Sequence, residues 1–573
     1  MLRAGWFFVP ILFFLFACTS SPEIAEVEIQ NDVAVSTKLP VLTLPETIFP
    51  TYFRTIDQDI LSDIANGSPA SLRQAVSALR NSDNSGSDQT KILLAICATI
   101  MQYAWPQENI SWTVPTDLPN NVYTSTLESV NRGLYESSFE DSDFFSLTLP
   151  ALVLLSNPTD TSYCAEAKIA LEQSLHLDVN SVLTLYLLGI ANLRTGNSAK
   201  ATEYLETALS FDSNNIEIIC AYLDALLQNG NGQKAFAFAQ SINASQSGNV
   251  QFLEYYAKAA FAVRDYTVAE SLVSRALGLE PDNLSLLLFR AQILFELGNY
   301  LSVSTLLDVY SRTNAQNKDY LLLRSRLQYT WNKNTTSALR TLQEALTLYP
   351  DDTDVLLLAA DLALASNQQI LQQSPTQLLA RVLEKEPENI GALEIAVRAA
   401  ILNSDWQAAH DASITVLENK ELTSDFAIMY AQICIELGLL NDAREALEAF
   451  YTPNTADENL QQWYIRLLIA EGDITQAQNL IDRLLPTATG SMRSILYFER
   501  SRLVSEDSQI LADLRSSLAA NPRNEFTLYG LYAYYYDRND YSKAQYYLKQ
   551  VIALNPSNQD FLQRNAELET LLN

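Results

Sequence analysis

The sequence predicts an all-α fold, a right-handed α-solenoid of about twelve stacked helix–turn–helix units. Three observations lead there. Apolar residues make up 48% of the 573-residue chain against 18% charged, and 16 Gly and 19 Pro are few for this length, which is the composition of a folded, helix-rich protein. A chain this long exceeds one core of ordinary size, so it divides into domains or forms a repeat array. Shifting the sequence against itself by about 34 residues brings small side chains into register from about Thr148 to Asn558.

The clearest unit runs from Val250 to Asn283, "VQFLEYYAKAAFAVRDYTVAESLVSRALGLEPDN". It reads as two amphipathic helices, each closing on an apolar spacing of three and four, with a short polar turn between them. Counting places from Val250, Ala257 and Ala269 stand at places eight and twenty, where two antiparallel helices approach closely. Ala276 at place twenty-seven faces the next unit, and Pro281 at place thirty-two stops the second helix. Place twenty is Ala again at Ala167, Ala201, Ala235, Ala409, Ala443, Ala477 and Ala544. Turn glycines recur at Gly196, Gly230, Gly298, Gly438 and Gly472, and the helix-stopping proline at Pro350, Pro387 and Pro556. The register expects a lengthened unit from Thr353 to Asn389 and a shortened one from Ser494 to Asn524.

These marks resemble the tetratricopeptide repeat (TPR). The resemblance covers residues 148–558 and implies a continuous superhelix, because each helix pair is too small to bury its own apolar face. Residues 559–573, "QDFLQRNAELETLLN" from Gln559, read as a solvating C-terminal cap helix. Residues 52–147 read as a helical N-terminal cap: "SPASLRQAVSALR" and "KILLAICATIMQYAW" have helical patterns and are compatible with a degenerate unit.

The first 17 residues combine Arg3 with an apolar run from Ala4 to Ala17, too short for a permanent span and suited to a secretion signal. The run ends in Leu15-Phe16-Ala17-Cys18, which resembles the lipobox of bacterial lipoproteins. That resemblance implies cleavage before Cys18, a diacylglyceryl group on its sulfur and an acylated amine. An uncleaved signal anchor and simple secretion are the other readings. Several acyl chains exceed the one-chain limit of marginal anchoring, so a lipidated Cys18 would hold the protein on a membrane. Residues 18–51 would then be the lipidated terminus and a linker, with Pro22, Pro40, Pro45 and Pro50 and no sustained helical period. The expected location is the cell envelope, at the periplasmic face or the outer membrane.

The chemistry-bearing inventory is thin. A formal charge of −30 argues against sequence-independent nucleic-acid binding. Only His176 and His410 exist, and Cys97, Cys164, Cys220 and Cys434 sit in apolar helical patterns without a CxxC, so no metal, cofactor or disulfide framework is expected. No phosphate loop, HExxH or GxSxG is present, and no enzyme is expected. By the TPR resemblance, places two, five, nine and twelve of each first helix line a concave groove. Place nine holds Lys258, Arg326, Arg398, Arg466 and Arg502, which could form a ladder for the carboxylates of an acidic or extended peptide. Alternatively Glu254–Lys258 and Glu394–Arg398 are i,i+4 pairs that neutralise the ladder from within. The expected function is a membrane-anchored, non-catalytic interaction scaffold for other envelope proteins or peptides. The alternative is a transport accessory that binds a small solute or docks a solute-binding protein beside a permease.

Overall fold

The computed structural model describes residues 49–572 except 84, 137–142 and 557, so residues 1–17, Cys18 and most of the linker lie outside the described residues. The described residues form helices joined by turns and irregular connections, the longest over residues 109–121, with short 3₁₀ segments and one isolated bridge between Ile370 and Gln373. No described helix is long and apolar enough to cross a membrane. The chain divides into two compact units, residues 1–222 and 223–573.

In the first unit, the helices Pro69–Asn81 and Asp88–Ala104 form where the apolar pattern predicts them. Ser68 and Ser87 cap their N-termini by accepting from Ser71 and Thr90 N–H groups. Gln58–Asn66 and Val122–Asn131 are helices that the sequence pattern did not mark. This cap docks on the helix Val182–Arg194 through polar contacts at its end. Ser181 Oγ donates to Ala65 O at 2.7 Å and Asn66 Nδ2 to Asn180 O at 3.1 Å, while within the cap buried Trp105 donates its indole N–H to Gly67 O at 2.8 Å. The Trp105 ring also packs on Tyr186, with centroids 5.0 Å apart. Where the register expects a first helix from Thr148, the chain instead forms the short helix Phe144–Thr148, a 3₁₀ turn from Pro150 and the helix Val153–Ser156. Pro150 supplies no N–H to a continuing helix, which breaks the element there.

In the second unit, antiparallel pairs follow one another from Val250–Ala262 with Tyr266–Leu279 to Glu525–Tyr536 with Tyr541–Leu554. The six alanines at place twenty in this unit are fully buried, as are Ala167 and Ala201 in the first. In the first unit Gly189 takes the closest approach of all: a Cβ there would lie 2.5 Å from Leu205 Cγ on the paired helix. Helix starts are fixed by Asn and Asp caps such as Asn249, Asp265, Asn283 and Asn299, each accepting an N–H from three residues on. The turn between the paired helices needs a left-handed residue at place fifteen. Gly298, Gly438 and Gly472 supply it, and Arg264, Ser404 and Asn539 adopt the same conformation with φ of 62°, 57° and 57°.

One boundary is corrected. The helix expected from Ser494 is Gly490–Ser501, and it is followed by Asp507–Ala520 and by Glu525–Tyr536, capped by Asn524. Counting back from the second helix and from Pro522 at place thirty-two, the unit begins at Ser491 and has the common length. Place nine is then Glu499, and Arg502 is the residue that ends the helix.

Candidate functional site

Four consecutive first helices of the second unit, Leu284–Glu296, Lys318–Thr330, Thr353–Ser366 and Ile390–Leu402, present one side to a common groove of about 590 Å³. The last three contribute the same places. Asp319, Leu322, Leu323 and Arg326 come from one helix, Asp354, Leu357, Leu358 and Asp361 from the next, and Gly391, Glu394, Ile395 and Arg398 from the third. These are places two, five, six and nine, a stripe that spacings of three, four and seven put on one helical face. Phe261, at place twelve of an earlier unit, closes one end. The groove has an apolar floor of Leu and Ile and charged walls.

The walls are predominantly acidic. Glu296, Asp319, Asp354, Asp361 and Glu394 line them, against the guanidiniums of Arg326 and Arg398. Arg326 reaches Glu296 at 3.1 Å and lies over the Phe295 ring at 4.6 Å. Arg398 binds Asp361 of the preceding repeat at 2.9 Å. The expected Glu394–Arg398 pair does not form, because Glu394 turns to Lys420 and Arg398 finds a carboxylate across the repeat boundary. Lys318 holds both Asp352 and Asp354; desolvation opposes its charge, and the two carboxylates outweigh that and hold the ammonium above its ordinary range. Asp319 makes no ion pair among the described residues and is exposed to the groove.

The other sequence candidates lie apart from this groove. Lys258 forms its expected pair with Glu254 at 2.7 Å and lies over the Tyr255 ring. Arg466 binds Glu499, which is fully buried, at 2.8 Å and lies between the rings of Trp463 and Phe526. Arg502 binds the other oxygen of Glu499 at 2.8 Å, beyond the end of its helix and outside the place-nine row. With the register corrected, place nine reads Asp224, Lys258, Gln292, Arg326, Asp361, Arg398, Gln432, Arg466 and Glu499. Cations alternate with acids or amides along the row, and the corrected unit adds Glu499 as its last member.

A second cluster joins residues that the sequence left as unrelated. One nitrogen of His410, Sγ of Cys434 and a carboxylate oxygen of Asp442 lie within 4.8 Å of one another. Cys434 is buried, and burial pushes its thiol up to about 11 against the opposing hydrogen bond from Tyr430. The Tyr430 ring stacks on His410 with centroids 5.9 Å apart.

Residues 260–327 match the tetratricopeptide repeat family. The match is to that stretch of the chain, within the helix pairs of the second unit. No curated protein matches it. Among solved structures it is similar to the pilF protein of Pseudomonas aeruginosa, with 19% identity over 37% of this chain and 94% of that one and a TM-score of 0.31. It is also similar to the APC/C hetero-tetramer Cut9–Hcn1, with 13% identity, coverage of 90% and 96%, and a TM-score of 0.39. A tetratricopeptide repeat protein from Parabacteroides merdae gives 15% identity, coverage of 50% and 98%, and a TM-score of 0.29. The all-helical solenoid architecture itself rests on the helix pairs of this chain.

Proposed function

We propose that this TPR protein is a non-catalytic interaction scaffold, held at the cell envelope by a lipidated Cys18, that binds an extended segment of a protein partner in the groove between Gln292 and Arg398. The observation that carries the reading is the repeated stripe itself. Three successive helices turn the same four places to the groove, two of them with charged residues at places two and nine and Leu at five and six and the third with Gly391, Glu394, Ile395 and Arg398, which suits a chain of mixed polar and apolar residues. The sign of the walls points to Lys- or Arg-bearing segments through Asp319, which has no ion pair among the described residues, while Glu296, Asp354, Asp361 and Glu394 are each held by a cation. This replaces the acidic peptide that a continuous cation ladder would have favoured. An open groove with charge at regular intervals also suits a peptide better than the enclosed apolar pore of a solute-binding accessory.

An extended peptide rich in Lys and Leu, compared with its Glu-for-Lys counterpart by fluorescence anisotropy, tests the groove. Preferential, salt-sensitive binding of the basic peptide and its loss in Asp319→Lys are expected; equal binding of both peptides, or binding untouched by Asp319→Lys, contradicts the reading. The anchor is tested separately. Cys18→Ser should move the protein from the membrane to the soluble fraction of cells, and persistent membrane association would exclude lipidation at that residue.

A further inference from the structure

We propose that His410, Cys434 and Asp442 form a three-ligand site for a zinc-class divalent cation, with water completing the coordination. A neutral imidazole, a thiolate and a carboxylate are the borderline-soft donor set that tetrahedral Zn²⁺ takes, and three protein ligands leave one position open. Bonds of about 2.0–2.3 Å put the donors of such a centre roughly 3.5 Å apart. The three atoms already stand within 4.8 Å, so side-chain rotation closes the gap with the helices in place.

The ligands come from three consecutive rigid elements. His410 is on Trp406–Asn419, Cys434 on Ser424–Leu437 and Asp442 on Leu440–Glu448, the last two joined by a tight turn at left-handed Gly438. Cys434 is buried, His410 is mostly covered and Asp442 is exposed, so the cation enters from the Asp442 side. Tyr430 stands one helical turn before Cys434, donates to its sulfur and stacks on His410. It is a positioning residue, the outer-shell hydrogen bond that sets ligand orientation and the electron density on sulfur. One of only two histidines in the chain therefore faces a buried thiol and a carboxylate across a repeat boundary. A bound cation would tie the repeat of His410 to the repeat of Cys434.

The test uses the full chain, stripped with a chelator and titrated with Co²⁺ alone. The expected result is one Co²⁺ per chain, a thiolate-to-cobalt charge-transfer band in the near ultraviolet, visible bands of tetrahedral intensity and their loss on adding Zn²⁺. Cys434→Ser should abolish the charge-transfer band. His410→Gln and Asp442→Asn should each weaken Co²⁺ binding by more than about tenfold, and Tyr430→Phe by about tenfold with a shift in the band's energy. Absence of the band in the unaltered chain overturns the proposal. So does its persistence in Cys434→Ser, or unchanged Co²⁺ affinity in His410→Gln whose helical circular dichroism shows it folded.

Discussion

Arg398 and Arg466 occupy the same place in their repeats, two repeats apart, and live in different environments. The Arg398 side chain is 44% exposed and meets an Asp361 that is 37% exposed, whereas Arg466 is 13% exposed and its Glu499 is fully covered. The difference comes from neighbours. Trp463 and Phe526 cover the Arg466 guanidinium on its ring faces, while the helix of Arg398 offers Glu394 and Ile395 to an open groove. A repeat place therefore assigns direction and leaves the use open: the same inward-facing arginine serves as wall in one region and as buried fastening in the other.

The largest effect should come from breaking the fastening. Glu499→Ala leaves Arg466, which cannot shed its charge, without its buried carboxylate, and should lower stability by about 3 kcal/mol. A fall in the urea midpoint with unchanged m-value would show it. Ala269→Leu forces a large side chain between two touching helices, at a cost of roughly 1–3 kcal/mol by the same measurement. Arg264→Gly relieves a left-handed backbone at a turn and should raise stability by up to about 1 kcal/mol, with a gain in Tm. The smallest change is Arg398→Ala, within about 1 kcal/mol of the parent, because its ion pair is solvated.

Much of the fold was legible because the marks that carry it are steric. Alanine at place twenty, the left-handed turn residue and the Asn or Asp cap each answer a geometric demand made in every repeat, and all eight alanines are buried as that demand requires. The register slipped where those marks were absent: the unit from Ser491 has Gln509 and Ile510 around place twenty and no turn glycine. Pro522 and Asn524 held the information that would have placed it. That slip put Arg502 in the row in place of Glu499, whereas Asp224, Gln292, Asp361 and Gln432 already interrupted the cations in the uncorrected register.

Groove places two, five and nine were reachable through the repeat resemblance, but the pairing within the groove was not, because Arg398 takes its carboxylate from another repeat. The cluster of His410, Cys434 and Asp442 had no linear signature either. Its residues meet only through the stacking of three helices, and no short motif spaces them.

The most direct measurement of the groove's role is the affinity of the Lys- and Leu-rich peptide for Arg398→Ala and Arg466→Ala, each checked for folding. Removing Arg398 frees Asp361, so basic-peptide affinity should rise about three- to fivefold, the equivalent of up to about 1 kcal/mol. Arg466→Ala, away from the groove, should lose stability and keep the parent affinity. Equal affinities for the parent and Arg398→Ala, or a change confined to Arg466→Ala, would contradict binding between Gln292 and Arg398.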